Sequence, residues 1–81
     1  MDGVTIKLAY PINVSGRSLD EICIRRPKVR DRLTSERQSG NEAEKEIRFI
    51  ANLCELAPNE IEELDMADYV RVQEALAGFF S

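Results

Sequence analysis

Three groups of residues in this chain have types and spacings that could do chemistry. They are the cations from Arg25 to Arg37, the carboxylates Glu60, Glu62 and Glu63, and the thiols of Cys23 and Cys54. None composes an active centre. The chain has no histidine, which removes the side chain most often used for proton transfer near neutral pH. The three glutamates fall at the start of a predicted helix, where the helix dipole favours carboxylates, so they read as first-turn charges and not as an acid–base pair. The glycines stand apart at positions 3, 16, 40 and 78, so no glycine-rich loop can cradle a phosphate. Zinc would need closely spaced cysteine or histidine ligands. Two isolated cysteines do not supply them and are expected to be reduced, buried and structural. The pattern points away from an enzyme, with no catalytic residue, metal or cofactor expected.

The cationic stretch is the remaining candidate. Arg25, Arg26, Lys28, Arg30, Arg32 and Arg37 stand against only Asp31 and Glu36. Such a run can neutralise phosphates. Against that reading, the whole chain carries a net charge of −4, no aromatic is interleaved to stack on bases, and no helix-turn-helix pattern follows. Asp31 and Glu36 can pair with flanking arginines at helical spacing, which would leave a solvated, internally paired face. Arginine is also enriched where proteins meet proteins. The alternative to a protein-binding face is a small regulatory or nucleic-acid-binding module using Arg25–Arg37. Charge is unequal along the chain, +3 over residues 1–37 and −7 over 38–81. A dipolar chain of this kind can orient a partner or stack head to tail on its own copies.

These residues must be positioned by a small fold. Eighty-one residues make a single domain, and a chain this short buries only about 60–65 % of its unfolded surface. No apolar run approaches the roughly 20 residues of a membrane span, and the start lacks the pattern of a signal peptide. A cytosolic protein without membrane contact is expected.

The expected class is α+β: a two-stranded antiparallel β-hairpin over residues 1–27, then three to four α-helices over 28–81. "VTIKLAYPI" alternates, placing Val4, Ile6, Leu8 and Tyr10 on one side, and Pro11 marks a strand end or an exposed edge. "ICIR" supplies the second strand. A three-residue loop Val14-Ser15-Gly16 with Gly16 at positive φ would close on Asn13 and Arg17. That register sets Ile22 across from Leu8 and Ile24 across from Ile6, and leaves Leu19 pointing away from their face.

Pro27 ends the second strand, with Arg26 held extended before it. "KVRDRLTSERQ" can form a short helix with Val29 and Leu33 on one face. Asn41 and Glu44 fit a reciprocal cap, followed by Ile47, Ile50, Ala51, Leu53 and Cys54 at helical spacing. Pro58 suits the first turn of a short helix, and Asp65 can cap the last one. There Met66, Tyr69, Val70, Gln73, Leu76, Ala77 and Phe80 form the expected stripe. Adjacent Phe79 and Phe80 point about 100° apart on a helix. One should pack inside and the other meet a second copy or a client.

Three segments in order, "LAYPI", "IRRPKVRD" and "LDMADYVRVQEALAGFF", resemble the small tail assembly chaperones of Mu-like long-tailed bacteriophages and prophages. The likeness rests on Tyr10-Pro11, Arg25-Arg26-Pro27 with Asp31, and Leu64, Asp68, Tyr69 and Phe79. It implies a non-enzymatic assembly factor that binds the tape measure protein and holds it soluble while tail-tube subunits polymerise. The tail-tube protein is a possible further partner and a homo-oligomer is possible. The implied location is the bacterial host cytoplasm, outside the finished virion. Nucleic acid and membrane are not expected partners. The candidate partner-binding residues are Arg25, Arg26, Arg30, Tyr69, Val72, Leu76, Phe79 and Phe80.

Overall fold

The computed structural model describes residues 3–80. Strands β1 (Val4–Val14) and β2 (Arg17–Ile24) form an antiparallel hairpin, followed by α1 (Val29–Glu36), α2 (Glu42–Cys54), α3 (Pro58–Ile61) and α4 (Met66–Gly78). The architecture is α+β, as expected. One face of the hairpin lies on the helices, β1 against α4 and β2 against α2. The core joins Ile6, Leu8, Ile12, Val14, Ile22 and Ile24 of the hairpin to Ile50, Ala51 and Leu53 of α2. Ile61, Leu64, Val72 and Leu76 complete it from the C-terminal helices. Ile24 and Val72 are at 0 % exposure, each burial contributing about 1.5–3 kcal/mol.

The hairpin register differs from the expected one. The loop has two residues, Ser15 (φ 51°) and Gly16 (φ 79°), between the paired Val14 and Arg17. Two consecutive positive φ values make the type I′ geometry whose twist matches the strands. Further along, Ile6 faces Ile22 and Val4 faces Ile24, so the predicted Leu8–Ile22 and Ile6–Ile24 pairs do not form. The pairing slips because Leu8, Ala9, Tyr10 and Pro11 together oppose Asp20 alone, between Lys7–Glu21 and Ile12–Leu19.

That wide bulge resolves the anomaly at Leu19. It faces Ile12 and therefore shares the inner side of the sheet. The same bulge sends Tyr10, predicted to face inward, to 59 % exposure. A regular ladder cannot run through Pro11, which has no N–H to give. A side chain added at Gly16 would meet no heavy atom within 4 Å, so Gly16→Val tests backbone strain alone. We expect a loss of about 1–2 kcal/mol, read by urea denaturation with an unchanged m-value.

Two helices turn a different face inward from the one their apolar residues suggest. In α1, Val29 and Leu33 are 79 % and 52 % exposed, while Asp31 is only 5 % exposed. In α4 the inner line is Asp68, Val72 and Leu76, with Tyr69, Ala75 and Phe79 half-buried. Met66, Val70 and Phe80, assigned to the inner stripe by spacing, are 67 %, 42 % and 69 % exposed. In each helix a buried aspartate sets the rotation.

Local signals held elsewhere. Asn41 and Glu44 exchange their capping bonds at 2.9 and 3.0 Å. Pro58 opens α3, and Asp65 accepts from the Ala67 N–H at 3.0 Å. Cys54 is half-buried and burial, then Cys23, pushes its thiol up to about 12. Cys23, expected to be buried, is exposed because it lies on the outer face of β2 opposite Thr5.

Candidate functional site

Two aspartates, each held by backbone and side-chain donors, build the surface on which the candidate residues stand. Asp68 reaches from α4 to the bulge and accepts from the N–H groups of Ala9 and Tyr10, both at 3.0 Å. The bulge has taken those donors out of the ladder, and a carboxylate fork replaces the missing strand. Arg71, one turn on, pairs with Asp68 at 3.3 Å and donates to the Lys7 carbonyl. Burial alone would raise the Asp68 pKa; the two N–H donors and Arg71 outweigh it and hold the carboxyl below its usual range.

Asp31 does the equivalent for α1. Arg25, at the end of β2, grips it through two nitrogens at 2.9 and 2.8 Å. The Lys28 N–H caps it at 2.7 Å and the Asn52 amide of α2 adds a bond at 3.1 Å. The Arg25 hydrogen bonds, opposed by burial and joined by Lys28, lower the Asp31 carboxyl to about 2. The pairing expected at helical spacing is thus made from outside the helix, by a residue across the Pro27 turn. Arg25 also donates its backbone N–H to the Leu53 carbonyl at 3.1 Å, locking the end of β2 to α2.

Held this way, α1 packs on α2 and, with α2 and the C-terminal end of α4, borders an open groove of about 500 Å³. Its apolar lining is Pro27, Val29, Phe49, Leu76 and Phe80. Lys28 and Arg32 stand along the α1 side, and Glu42, Lys45 and Glu46 along α2. Lys45 reaches Glu36 across the groove at 3.7 Å. Glu46 accepts from the Tyr69 hydroxyl at 2.6 Å and from Gln73 at 2.7 Å. Burial first, and that bond second, push the Tyr69 phenol above its usual range.

The candidate residues divide clearly on this geometry. Leu76 and Phe80 line the groove, and Tyr69 braces its Glu46 wall. Phe79 is half-buried against the core, with the Arg26 guanidinium 5.7 Å from its ring centroid and bonded to its carbonyl at 3.2 Å. Arg26 therefore closes the negative end of α4. Arg25 is committed to Asp31, and Arg30 lies on the exposed side of α1 outside the groove lining. Val72, placed among the contact residues by spacing, is at 0 % exposure; no partner reaches it, and its part is in the core.

Spacing missed Val29 and Phe49, and it did not separate Lys28 and Arg32 from the other cations of the basic stretch. Val29 was grouped with Leu33 on one face of α1, and Phe49 falls off the main α2 stripe; an apolar residue left beside a stripe was the available signal. Among the described residues, no three His, Cys, Asp or Glu side chains are gathered to hold a metal ion. No helix there is long and apolar enough to cross a membrane.

The groove has an apolar floor and lips that carry charges of both signs. No curated protein and no solved structure was found to match this sequence. The family described as "Phage tail assembly chaperone proteins, E, or 41 or 14" matches residues 5–81. That span takes in the bulge, both buried aspartates and every residue of the groove, and it covers far more than half of the chain: this protein belongs to the phage tail assembly chaperone family.

Proposed function

We propose that the protein binds the tape measure protein of its phage through the groove between α1, α2 and α4, and keeps it soluble during tail assembly. The observation that carries this reading is the groove itself. Val29 and Phe80 stand at its mouth 79 % and 69 % exposed, on a domain too small to leave apolar side chains in water without cost. A long helical client offers repeated apolar stripes, and weak contacts repeated along it gain strength through multivalency. The protein acts in the host cytoplasm, without catalysis, and leaves before the virion is complete. Contact with tail-tube subunits would follow from its position on the client.

Co-expression with the neighbouring long helical open reading frame tests the proposal. The client should become soluble and co-purify. Val29→Ser and Phe80→Ser should each weaken capture by roughly ten- to a hundredfold, the value of one buried apolar side chain, with the melting temperature unchanged. The reading fails if the pair never associates and the protein instead shifts DNA at physiological salt. Two of the six cations in the basic stretch, Arg25 and Arg26, already have partners within the chain, which weighs against that outcome.

A further inference from the structure

The charges around the groove change sign along its length. Two contacts fix how its walls run. Near the start of α1, Asp31 accepts from Asn52 at the end of α2 at 3.1 Å. At the end of α1, Glu36 meets Lys45 in the first half of α2 at 3.7 Å. The two helices are therefore antiparallel. Helix α4 runs with α2, since Gln73 reaches Glu46 while Phe79, at its end, is bonded by Arg26 just before α1. Lys28 and Arg32 then stand at one end of the groove, and Glu36, Glu42, Lys45 and Glu46 at the other. Two cations make the first end +2, and three carboxylates against one lysine make the second −2. Glu46 keeps its charge there, because Tyr69 and Gln73 are neutral donors. On α1 this order opposes the helix dipole, which favours acids in the first turn and bases in the last. Lys28 is the N-cap, the last turn holds no base, and Glu36 ends it. From Lys28 to Glu36 is about 12 Å, or two helical turns.

We propose that the groove reads the direction of its client. It takes an amphipathic helical segment whose apolar stripe has carboxylates at one end and, about two turns away, Lys or Arg at the other. The carboxylates lie at Lys28 and Arg32, and the cations at Glu42 and Glu46. This rests on the client reading above and adds to it the polarity of the segment bound. The floor of Phe49 and Leu76 accepts an apolar stripe either way round. The charges do not: a reversed segment sets like charges together at both ends, and that repulsion is what separates the two orientations. Segments of one client that share a charge order would therefore be held by copies that all point the same way along it.

Fluorescence anisotropy on the full chain with two synthetic helical peptides tests this. Both have the same composition and the same apolar stripe. In one, glutamates occupy one end and lysines the other; in the second, the two alternate along the peptide. The segregated peptide should bind at least tenfold tighter at low salt, and added salt should erase the difference. A nitroxide at its glutamate end should broaden the amide signals of Val29 and Arg32 and spare those of Glu42 and Lys45. Moved to the lysine end, the label should do the reverse. Lys28→Gln with Arg32→Gln should remove most of the preference. Both side chains are exposed and oppose the α1 dipole, so the melting temperature should not fall. Equal binding of the two peptides, one label broadening both ends, or a double variant that keeps the full preference would each overturn the proposal. Failure of both peptides to bind would overturn it too. The client reading is decided separately by capture in co-expression, which succeeds or fails whatever the orientation of the bound segment.

Discussion

Asp68→Ala should abolish folding or lower the melting temperature by roughly ten degrees or more, measured by circular dichroism. Its side chain is 1 % exposed and is the partner of two backbone donors in the bulge. Removing it leaves the part-buried Ala9 and Tyr10 N–H groups without their acceptor, and a donor left unmet carries a desolvation penalty. Arg71 loses its carboxylate as well, but at 44 % exposure it can hydrate, so the backbone donors dominate. Asp68→Asn should fall between the two, since it keeps one acceptor oxygen but aims an amide N–H at a backbone N–H. Arg71→Ala should be mild. Hydrogen exchange at Ala9 and Tyr10 gives the site-specific readout: both amides should be protected in the wild type, and the one left facing the amide nitrogen should exchange fast in Asp68→Asn. Equal melting temperatures for Asp68→Ala and the wild type would show that the bulge does not depend on this carboxylate.

Asp31→Ala should cost about 1–3 kcal/mol, the value of leaving buried polar partners unmet. That is a large share of the roughly 3–5 kcal/mol that one small core supplies. The Lys28 N–H and the Asn52 amide lose their acceptor, while Arg25, its side chain 40 % exposed, recovers part of its hydration. Because Asp31 is the only buried residue of α1, the helix should loosen and take the groove wall of Lys28 and Arg32 with it, so client capture should fall along with stability.

The same aspartate should make the protein acid-sensitive. Its carboxyl is lowered from 3.8 to about 2 by folding, so the native state holds it ionised where the unfolded chain begins to take up a proton. That stabilisation is complete above the unfolded value and is lost as pH falls from about 4 toward 2. Asp68 is shifted in the same direction and adds to the slope. Asp31→Asn should therefore be less stable at pH 7 but lose less on acidification. An equally steep acid transition in that variant would assign the sensitivity elsewhere.

Local chemistry was readable from the residues alone. The hairpin, the reciprocal cap of Asn41 and Glu44, the start of α3 at Pro58, the Asp65 cap and the inner stripe of α2 all appeared where short-range rules place them. Each of those signals lies within a few residues and is satisfied by the chain's own backbone. Of the groove, Leu76 and Phe80 were legible, because apolar residues at the end of a terminal helix stand out by spacing.

What only the tertiary structure decided was which residues a polar partner from far along the chain would claim. Asp68 bonds Ala9 and Tyr10 across 59 and 58 positions, and no local pattern announces that a proline-broken strand will be repaired by a carboxylate on the last helix. That repair shifts the ladder, turns Leu19 in and Tyr10 out, and sets the rotation of α4, so Met66, Val70 and Phe80 face outward. Asp31 likewise turns α1 over and leaves Val29 at the mouth of the groove. Hydrophobic spacing ranks faces by apolar content, whereas a buried charge must meet its partners or the fold fails. In both helices the aspartate's need outweighed two or three apolar side chains, and those side chains became the surface this protein has available for binding.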